Sequence, residues 1–356
     1  MSRQFGNIYK GKKVLVTGHT GFKGSWLTLW LTELGATVVG YSIDKPSKPN
    51  HFDLLKLGIT SVKGDILDKD KLLKTIKKHE PDIIFHLAAQ ALVRKSYRIP
   101  RETFETNIMG TINVLEAIRM INPKIAVINV TSDKCYSNKE QERGYTENDP
   151  MGGDDPYSAS KGAVELVSHS YRKSFSLTSA NVRAGNVIGG GDWAEDRLIP
   201  DIMKATARGK SVHIRNPHST RPWQHVLEPL SGYLAVGAEL LKGSDTALHN
   251  WNFGPTDSSS LSVFEVTEHT KKHWPDITYL IEKDVPKVHE AKLLSLDSTK
   301  ARQELGWKSV WNADTTFAKT VGWYKEFYTH KKVVSKKDLE SYIRDAKKIG
   351  VRWAKD

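Results

Sequence analysis

The sequence is poor in everything that would place it outside a reducing compartment or inside a bilayer. It has one cysteine in 356 residues, Cys135, so an internal disulfide is excluded. No segment approaches the ~18 consecutive apolar residues of a membrane span, and Met1–Lys13 lacks the apolar core of a secretory signal. A cytoplasmic chain with no membrane partner is expected. Internal repeats and low-complexity tracts are also missing, and no metal site is expected. Acidic residues are outnumbered, 41 against 53 Lys and Arg, giving a net charge of +12. That excess is spread along the chain, its densest runs (Lys331-Lys332, Lys336-Lys337, Lys347-Lys348) lie near the C-terminus, and no nucleic-acid-binding module accompanies it. It suits anionic small ligands, and nucleic acid is not expected.

What is present is ordinary globular material. Hydrophobic residues make up 38% and charged residues 26%, in a chain long enough for one large domain or two closely joined ones. Lys12–Val16 reads as a short apolar strand running into a glycine-rich turn, Ser25–Leu34 as a helix closed by Gly35, and Thr37–Ser42 as a second strand. The alternation continues: helix over Asp70–His79, buried strand over Asp82–Leu87, helix over Thr106–Met120, buried strand over Ile125–Val130. Strands apolar on both faces that alternate with helices predict a parallel sheet covered on both sides, an α/β doubly wound Rossmann-like fold. After Asn186 the pattern gives way to Gly189-Gly190-Gly191, several prolines and the aromatic-basic segment Arg215–His225, which suits a smaller substrate-binding lobe. The expected division is a cofactor domain over 1–185, with the amphipathic helix Leu227–Leu241 drawing in about 222–245, and an interleaved lobe over 186–356.

The turn Gly18-His19-Thr20-Gly21-Phe22-Lys23-Gly24 spaces its glycines by three, directly after a strand and at the start of a helix. A backbone without Cβ atoms there can approach a pyrophosphate and present helix N-terminal amides to it. Gly18, Thr20, Gly21, Phe22, Lys23 and Gly24 are therefore candidates to hold a dinucleotide. Asp44, at the end of the second strand, would take the adenine ribose hydroxyls, favouring NAD over NADP, although Lys45 and Lys48 could receive a 2′-phosphate. Gly64-Asp65-Ile66 could flank the adenine. Leu87-Ala88-Ala89-Gln90 has the small residues a backbone needs to pass beside the cofactor.

Tyr157 and Lys161 stand four apart, on one face of a helix, where an ammonium would favour the phenolate of a general base. Ser132 ends a buried strand at the carboxyl edge of the sheet, where ligands of such folds bind. With the glycine turn, these residues resemble the extended short-chain dehydrogenase/reductase family over at least Gly11–Gly191. The resemblance implies that Ser132 bonds the substrate hydroxyl that Tyr157 deprotonates, that Lys161 also holds the nicotinamide ribose, and that Thr106 joins the NAD contacts. Epimerase, dehydratase and dehydrogenase all remain open at this point.

Asp133, directly after Ser132, either caps a turn at the strand end or stands where a general acid would protonate a departing hydroxyl, which sugar 4,6-dehydratases require and 4-epimerases do not. The dTDP-glucose dehydratases carry Asp-Glu here, whereas this chain carries Asp133-Lys134. In that pair, and in Gly18–Trp26, Thr131–Tyr136, Asn181–Trp193 and Arg221–Val226, it resembles the CDP-glucose 4,6-dehydratases. The resemblance implies a homo-oligomeric enzyme of deoxysugar and cell-surface polysaccharide (O-antigen, lipopolysaccharide) biosynthesis, acting on CDP-glucose with NAD. In it Lys134 would replace the glutamate as C5 base and would have to be neutral to do so. Segments this family uses for ligand contact contribute Arg94, Arg197, Arg215 and Arg221 for the diphosphate, and Asn186 and Trp193 for phosphates and sugar. Trp223 and Trp251 read as core, Cys135 as a small buried residue. His289-Glu290-Ala291 resembles a family segment of unread chemistry. The rivals are a nucleotide-sugar 4-epimerase, a dehydratase for another nucleotide sugar, and a non-enzymatic NAD-sensing regulator.

Overall fold

A computed structural model describes residues 4–214, 216–255, 261–282 and 294–355. The first half runs β1 (Lys13–Thr17), α1 (Phe22–Glu33), β2 (Thr37–Ser42), α2 (His51–Leu55), β3 (Thr60–Lys63), α3 (Lys69–His79), β4 (Ile83–His86), α4 (Val93–Arg98), α5 (Pro100–Phe104), α6 (Gly110–Ile121), β5 (Ala126–Val130) and α7 (Pro156–Phe175). The second adds β6 (Ser179–Ala184), β7 (Asn186–Ile188), α8 (Leu198–Thr206), β8 (Val212–Ile214), β9 (Thr220–Arg221), β10 (Trp223–His225), α9 (Leu227–Leu241) and β11 (Asn250–Phe253). Last come β12 (Leu261–Ser262), α10 (Val263–His273), β13 (Tyr279–Ile281), α11 (Thr299–Leu305), α12 (Ala313–His330) and α13 (Ser335–Lys348).

Seven strands form one parallel sheet in the order β11-β6-β5-β4-β1-β2-β3. Strand β5 is buried at all five positions, as expected for a strand covered on both faces. Strand order reverses between β1 and β4, and an open α/β sheet binds its ligand in the crevice beyond the carboxyl ends at such a point. Three two-stranded pieces, β7 with β10, β8 with β13 and β9 with β12, lie outside that sheet.

Two helices differ from their sequence-based outlines for packing reasons. Helix α9, expected to be amphipathic, is buried at 13 of its 15 positions. The C-terminal chain explains this: Trp307 Nε1 donates to Ser231 Oγ at 2.8 Å, and Tyr342 of α13 donates to Glu228 Oε2 at 2.7 Å. The helix expected over Thr106–Met120 begins as a π turn, Glu105–Met109, that leads into α6. Helix α1 is covered on its outer side by α13, with Lys336 Nζ on Glu33 Oε1 at 2.9 Å and the Trp30 ring edge-on to Tyr342. Trp26 and Trp30 are wholly buried, worth about 1.5–3 kcal/mol each as large apolar side chains.

Candidate active site

Where β1 ends, Gly18 has φ 75°, and a Cβ there would lie 2.8 Å from the Ala88 amide nitrogen beyond β4. At Gly24 a Cβ would lie 2.1 Å from the Gly18 carbonyl oxygen. Only glycine lets the turn close this tightly against both the next loop and the helix it opens. The turn is braced from beneath by His19, whose Nδ1 and Nε2 bond Ser42 Oγ and Ser61 Oγ, both at 2.8 Å. Burial pulls that imidazole down to about 4, so it is a neutral strut. Thr20 Oγ1 donates to the Asp44 carbonyl at 2.6 Å, fixing the end of β2 beside the turn.

The Asp44 carboxylate itself is exposed at the rim, accepts the Lys45 amide at 2.8 Å and stands 3.7 Å from Lys63 Nζ. Lys45 turns to Asp53 at 2.8 Å. Asp65 Oδ1 accepts the Leu67 amide at 2.9 Å, and Ile66 is buried against Gly110. Ala88, Ala89 and Thr106 are half-buried along the same edge. Gln90 folds inward, donating from Nε2 to Leu92 O and Thr103 Oγ1. The arrangement fits a dinucleotide: a glycine cradle on a helix N-terminus, a carboxylate at the end of β2, and one further sign at the far end of the crevice. There the Tyr233 hydroxyl of α9 is wholly buried with no hydrogen-bond partner among the described residues, in the field of Tyr157 and Asp133. A bound ligand would supply the partner that such a group requires.

Ser132, Asp133, Tyr157 and Lys161 converge at the end of β5, all less than a tenth exposed. Ser132 Oγ donates to Asp133 Oδ1 at 2.9 Å, accepts the Lys134 amide at 3.2 Å and bonds the Tyr157 hydroxyl. Asp155 caps α7 by accepting the Ser158 amide at 3.0 Å, which sets the pitch of Tyr157 and Lys161. The phenol differs from its sequence-based expectation. Burial pushes Tyr157 up to about 12, the Ser132 bond pulls the other way and the Asp133 charge adds to the rise. Lys161 Nζ is directed to the Val130 carbonyl at 3.1 Å, and burial brings it down to about 8 against the pull of Glu165. Lys134, a quarter exposed, places its Nζ 3.4 Å from Asp133 Oδ1.

The substrate candidates divide. Arg197, on the threshold of α8, donates to Asp192 Oδ2 at 2.8 Å, and Tyr157 feels its charge. Arg94 stands 3.9 Å from Asp196. Arg221 closes β9 and donates to the Thr220 carbonyl, and Asn186 opens β7 opposite Trp223. Trp193 is 6% exposed, its Nε1 bonds Tyr328, and its ring packs on Trp323, Tyr324 and Phe327 of the aromatic face of α12. Trp251 is wholly buried, and Trp223 partly so. Arg215 and His289-Glu290-Ala291 lie outside the described residues.

Residue patterns leave three contributors unmarked and give a fourth, Lys23, only a cofactor role. Asn107 donates to Ser160 Oγ at 2.8 Å and accepts the Gln90 amide at 2.8 Å, tying the loop after β4 to the catalytic helix. Its only signal was a polar residue inside an apolar helix pattern. Tyr233 had none. Lys23, expected in the glycine turn, has its ammonium 5.9 Å from the Tyr233 ring centroid. Burial brings it down to about 7, with Arg197, Lys161 and Lys134 adding to the drop and Asp133 opposing it, so it faces the catalytic cluster. The last is the Glu165–Arg183 pair beneath Ser132.

Residues 15–320 match the family model described as GDP-mannose 4,6 dehydratase. The CDP-glucose 4,6-dehydratase of Salmonella typhimurium is 47% identical over 95% of this chain and 98% of its own length. Among solved structures, a dTDP-glucose 4,6-dehydratase of Streptomyces venezuelae with NAD bound has a TM-score of 0.76 at 25% identity, covering 88% of this chain and 97% of that one. A UDP-glucose 4-epimerase of Thermotoga maritima has a TM-score of 0.77 at 22% identity, over 88% and 99%, a likeness of fold.

Proposed function

The chain belongs to the GDP-mannose 4,6-dehydratase family, within the extended short-chain dehydrogenases/reductases, and on that premise we propose that it converts CDP-D-glucose to CDP-4-dehydro-6-deoxy-D-glucose and water. The observation that carries this is a near full-length likeness to a CDP-glucose 4,6-dehydratase, joined to an acid, a hydroxyl and a Tyr-Lys pair gathered at one strand end. NAD held by the glycine cradle of Gly18, Gly21 and Gly24 would supply a hydride acceptor for C4 and a donor for C6, which would leave the conversion redox-neutral.

The chain's own groups handle the protons. Ser132 Oγ holds the C4 hydroxyl beside Tyr157, whose phenolate form, steadied by Lys161, accepts its proton and becomes the phenol. The 4-keto group acidifies C5, whose proton must leave with the C6 hydroxyl. One proton shift across the 3.4 Å Lys134–Asp133 contact turns an ion pair into a carboxylic acid and a free amine, the acid for the C6 hydroxyl and the base for C5. Closing the site against water favours that uncharged form. The diphosphate falls to Arg94, Arg197, Arg215 and Arg221, with Asn186 and Trp193 as further contacts to phosphates and sugar. The NAD contacts are Gly18, Thr20, Gly21, Phe22, Lys23, Gly24, Asp44, Asp65, Ile66, Ala88, Ala89, Gln90, Thr106, Tyr157 and Lys161.

We retain the division into a cofactor half over 1–185 with about 222–245, and a lobe from the rest of 186–356. A cytoplasmic homo-oligomer completes the reading. Support comes from the buried, unpaired Cys135, from the absence of any membrane-length apolar helix among the described residues, and from Met109, Met120, Leu166 and Phe175 exposed around the neighbouring α6 and α7. Such a product feeds reductive or aminating steps toward deoxysugars of surface polysaccharides such as O-antigen and lipopolysaccharide.

The test is incubation with CDP-, dTDP-, GDP- and UDP-glucose, following the alkaline absorbance of the keto product and loss of one water by mass. Product from CDP-glucose is expected. Product from dTDP-glucose alone would overturn the nucleobase assignment, an isomer of unchanged mass would make the protein an epimerase, and no product from any sugar would leave the NAD-sensing regulator. For Lys134, the Lys134→Ala variant should lose exchange of the C5 proton with solvent deuterium; full exchange would remove it as the base.

A further inference from the structure

We infer that the buried ion pair Glu165–Arg183 is a positioning device for the reacting residues, gripping the catalytic segment at Thr131 and at Tyr136, one residue outside each end of Ser132–Cys135. The inference rests on the reading of Ser132, Asp133 and Lys134 as the reacting groups. Neither partner is more than 3% exposed. The pair is bidentate, Arg183 Nε to Glu165 Oε1 and Nη2 to Oε2, both at 2.8 Å. Two charges in a dry site are a costly way to fill space, and apolar residues of similar volume would serve stability as well. The use of the pair shows in where its remaining bonds go.

Glu165 Oε1 accepts Thr131 Oγ1 at 2.5 Å, and Oε2 accepts Asn181 Nδ2 at 2.7 Å. Arg183 Nη1 donates to the Tyr136 hydroxyl at 2.5 Å, and its guanidinium carbon lies 4.8 Å from the Tyr136 ring centroid. Tyr136 passes the contact on, donating to Asn252 Oδ1 at 2.8 Å while its ring stacks on Tyr145 at 5.0 Å. Asn252 Nδ2 in turn donates to the Tyr145 carbonyl at 2.7 Å. Both ends of the segment are thus tied to one rigid fork. Glu165 also lies one helical turn beyond Lys161 on α7, so the same carboxylate fixes the helix of Tyr157 and Lys161 relative to the strand end of Ser132 and Asp133. A displacement of about 1 Å between reacting groups can cost two orders of magnitude in rate, which is the scale on which such a fork acts.

Removing Glu165 would strand a buried guanidinium and endanger the fold, so Thr131→Val and Tyr136→Phe, which delete one grip each and keep shape, carry the test. For each, kcat with CDP-glucose should fall about tenfold with KM within about twofold, and about a hundredfold in the double variant. The melting temperature should stay within about 3 °C, and backbone amide exchange should quicken over residues 131–136 and nowhere else. Wild-type kcat and wild-type exchange in both single variants would overturn the proposal. So would a rate loss accompanied by faster exchange throughout the sheet, which marks support of the fold alone. Should the unsubstituted protein make no product, the functional reading fails, and the exchange measurement still decides whether the fork holds the segment.

Discussion

The two sides of the crevice are held in different ways. The cofactor side is built from the backbone of seven consecutive residues, Gly18–Gly24, braced by His19 and closed against Ala88, and its shape needs no ligand. The substrate side draws cations from separate segments, and Arg94 and Arg197 are already occupied by carboxylates of their own chain, Asp196 and Asp192. On the proposed assignment a diphosphate would compete with those carboxylates for the two arginines, whereas a dinucleotide would meet a preformed turn. Shape governs one side and exchange of ionic partners the other.

Four substitutions would break or sharpen that contrast. The largest effect is expected where the sides meet: Tyr157→Phe removes the proton acceptor and should lower kcat by about 10²–10⁴-fold with little change in KM, read from initial rates of product formation. Next, Gly24→Val drives a side chain into the Gly18 carbonyl. It should weaken NAD retention about a hundredfold, measured as NAD carried through gel filtration and by titration, and Arg197→Met should leave that quantity unchanged. On the substrate side, Arg197→Met should raise KM for the nucleotide sugar about tenfold with kcat kept, the mark of a contact made equally in ground and transition states. If it lowered kcat instead, the arginine would belong to the chemistry.

The smallest effect lies at the seam that joins the C-terminal chain to α9. Burial raises Glu228 to about 7, against the Trp311 and Val310 amides and the Tyr342 hydroxyl that bond its carboxyl. Between its ordinary value near 4.5 and about 7 the folded chain holds a proton that the unfolded chain has lost. This contribution to stability is complete below 4.5 and disappears as pH rises through 7. Glu228→Gln should therefore gain on the unsubstituted protein between pH 5 and pH 8, by on the order of 1–3 kcal/mol in urea unfolding. An equal difference at both pH values would contradict the assignment.

The same contrast explains what was legible in the sequence. The glycine turn, the alternation of β1 to β5 with helices, Ser132 and the Tyr157–Lys161 spacing are local patterns, and the structure places them where those patterns require. The packing of Trp193 is not legible near it, because α12, whose aromatic face buries it, lies far along the chain. The raised Tyr157 phenol, the Lys134–Asp133 ion pair and the orphaned Tyr233 hydroxyl depend on burial and on side chains from distant segments, which residue spacing does not encode. Helix α9 was recognised to the residue, but its burial depends on Trp307 and Tyr342 covering its outer face.

In the proposed reaction one hydride leaves C4 and returns to C6 of the same sugar while the Ser132–Lys134 segment removes water. CDP-glucose deuterated at C4 tests this in a single mass and NMR measurement of the product. The expected product is a 4-keto-6-deoxy sugar with the deuterium on C6. Deuterium retained at C4 in an inverted alcohol, or lost to solvent, would contradict it.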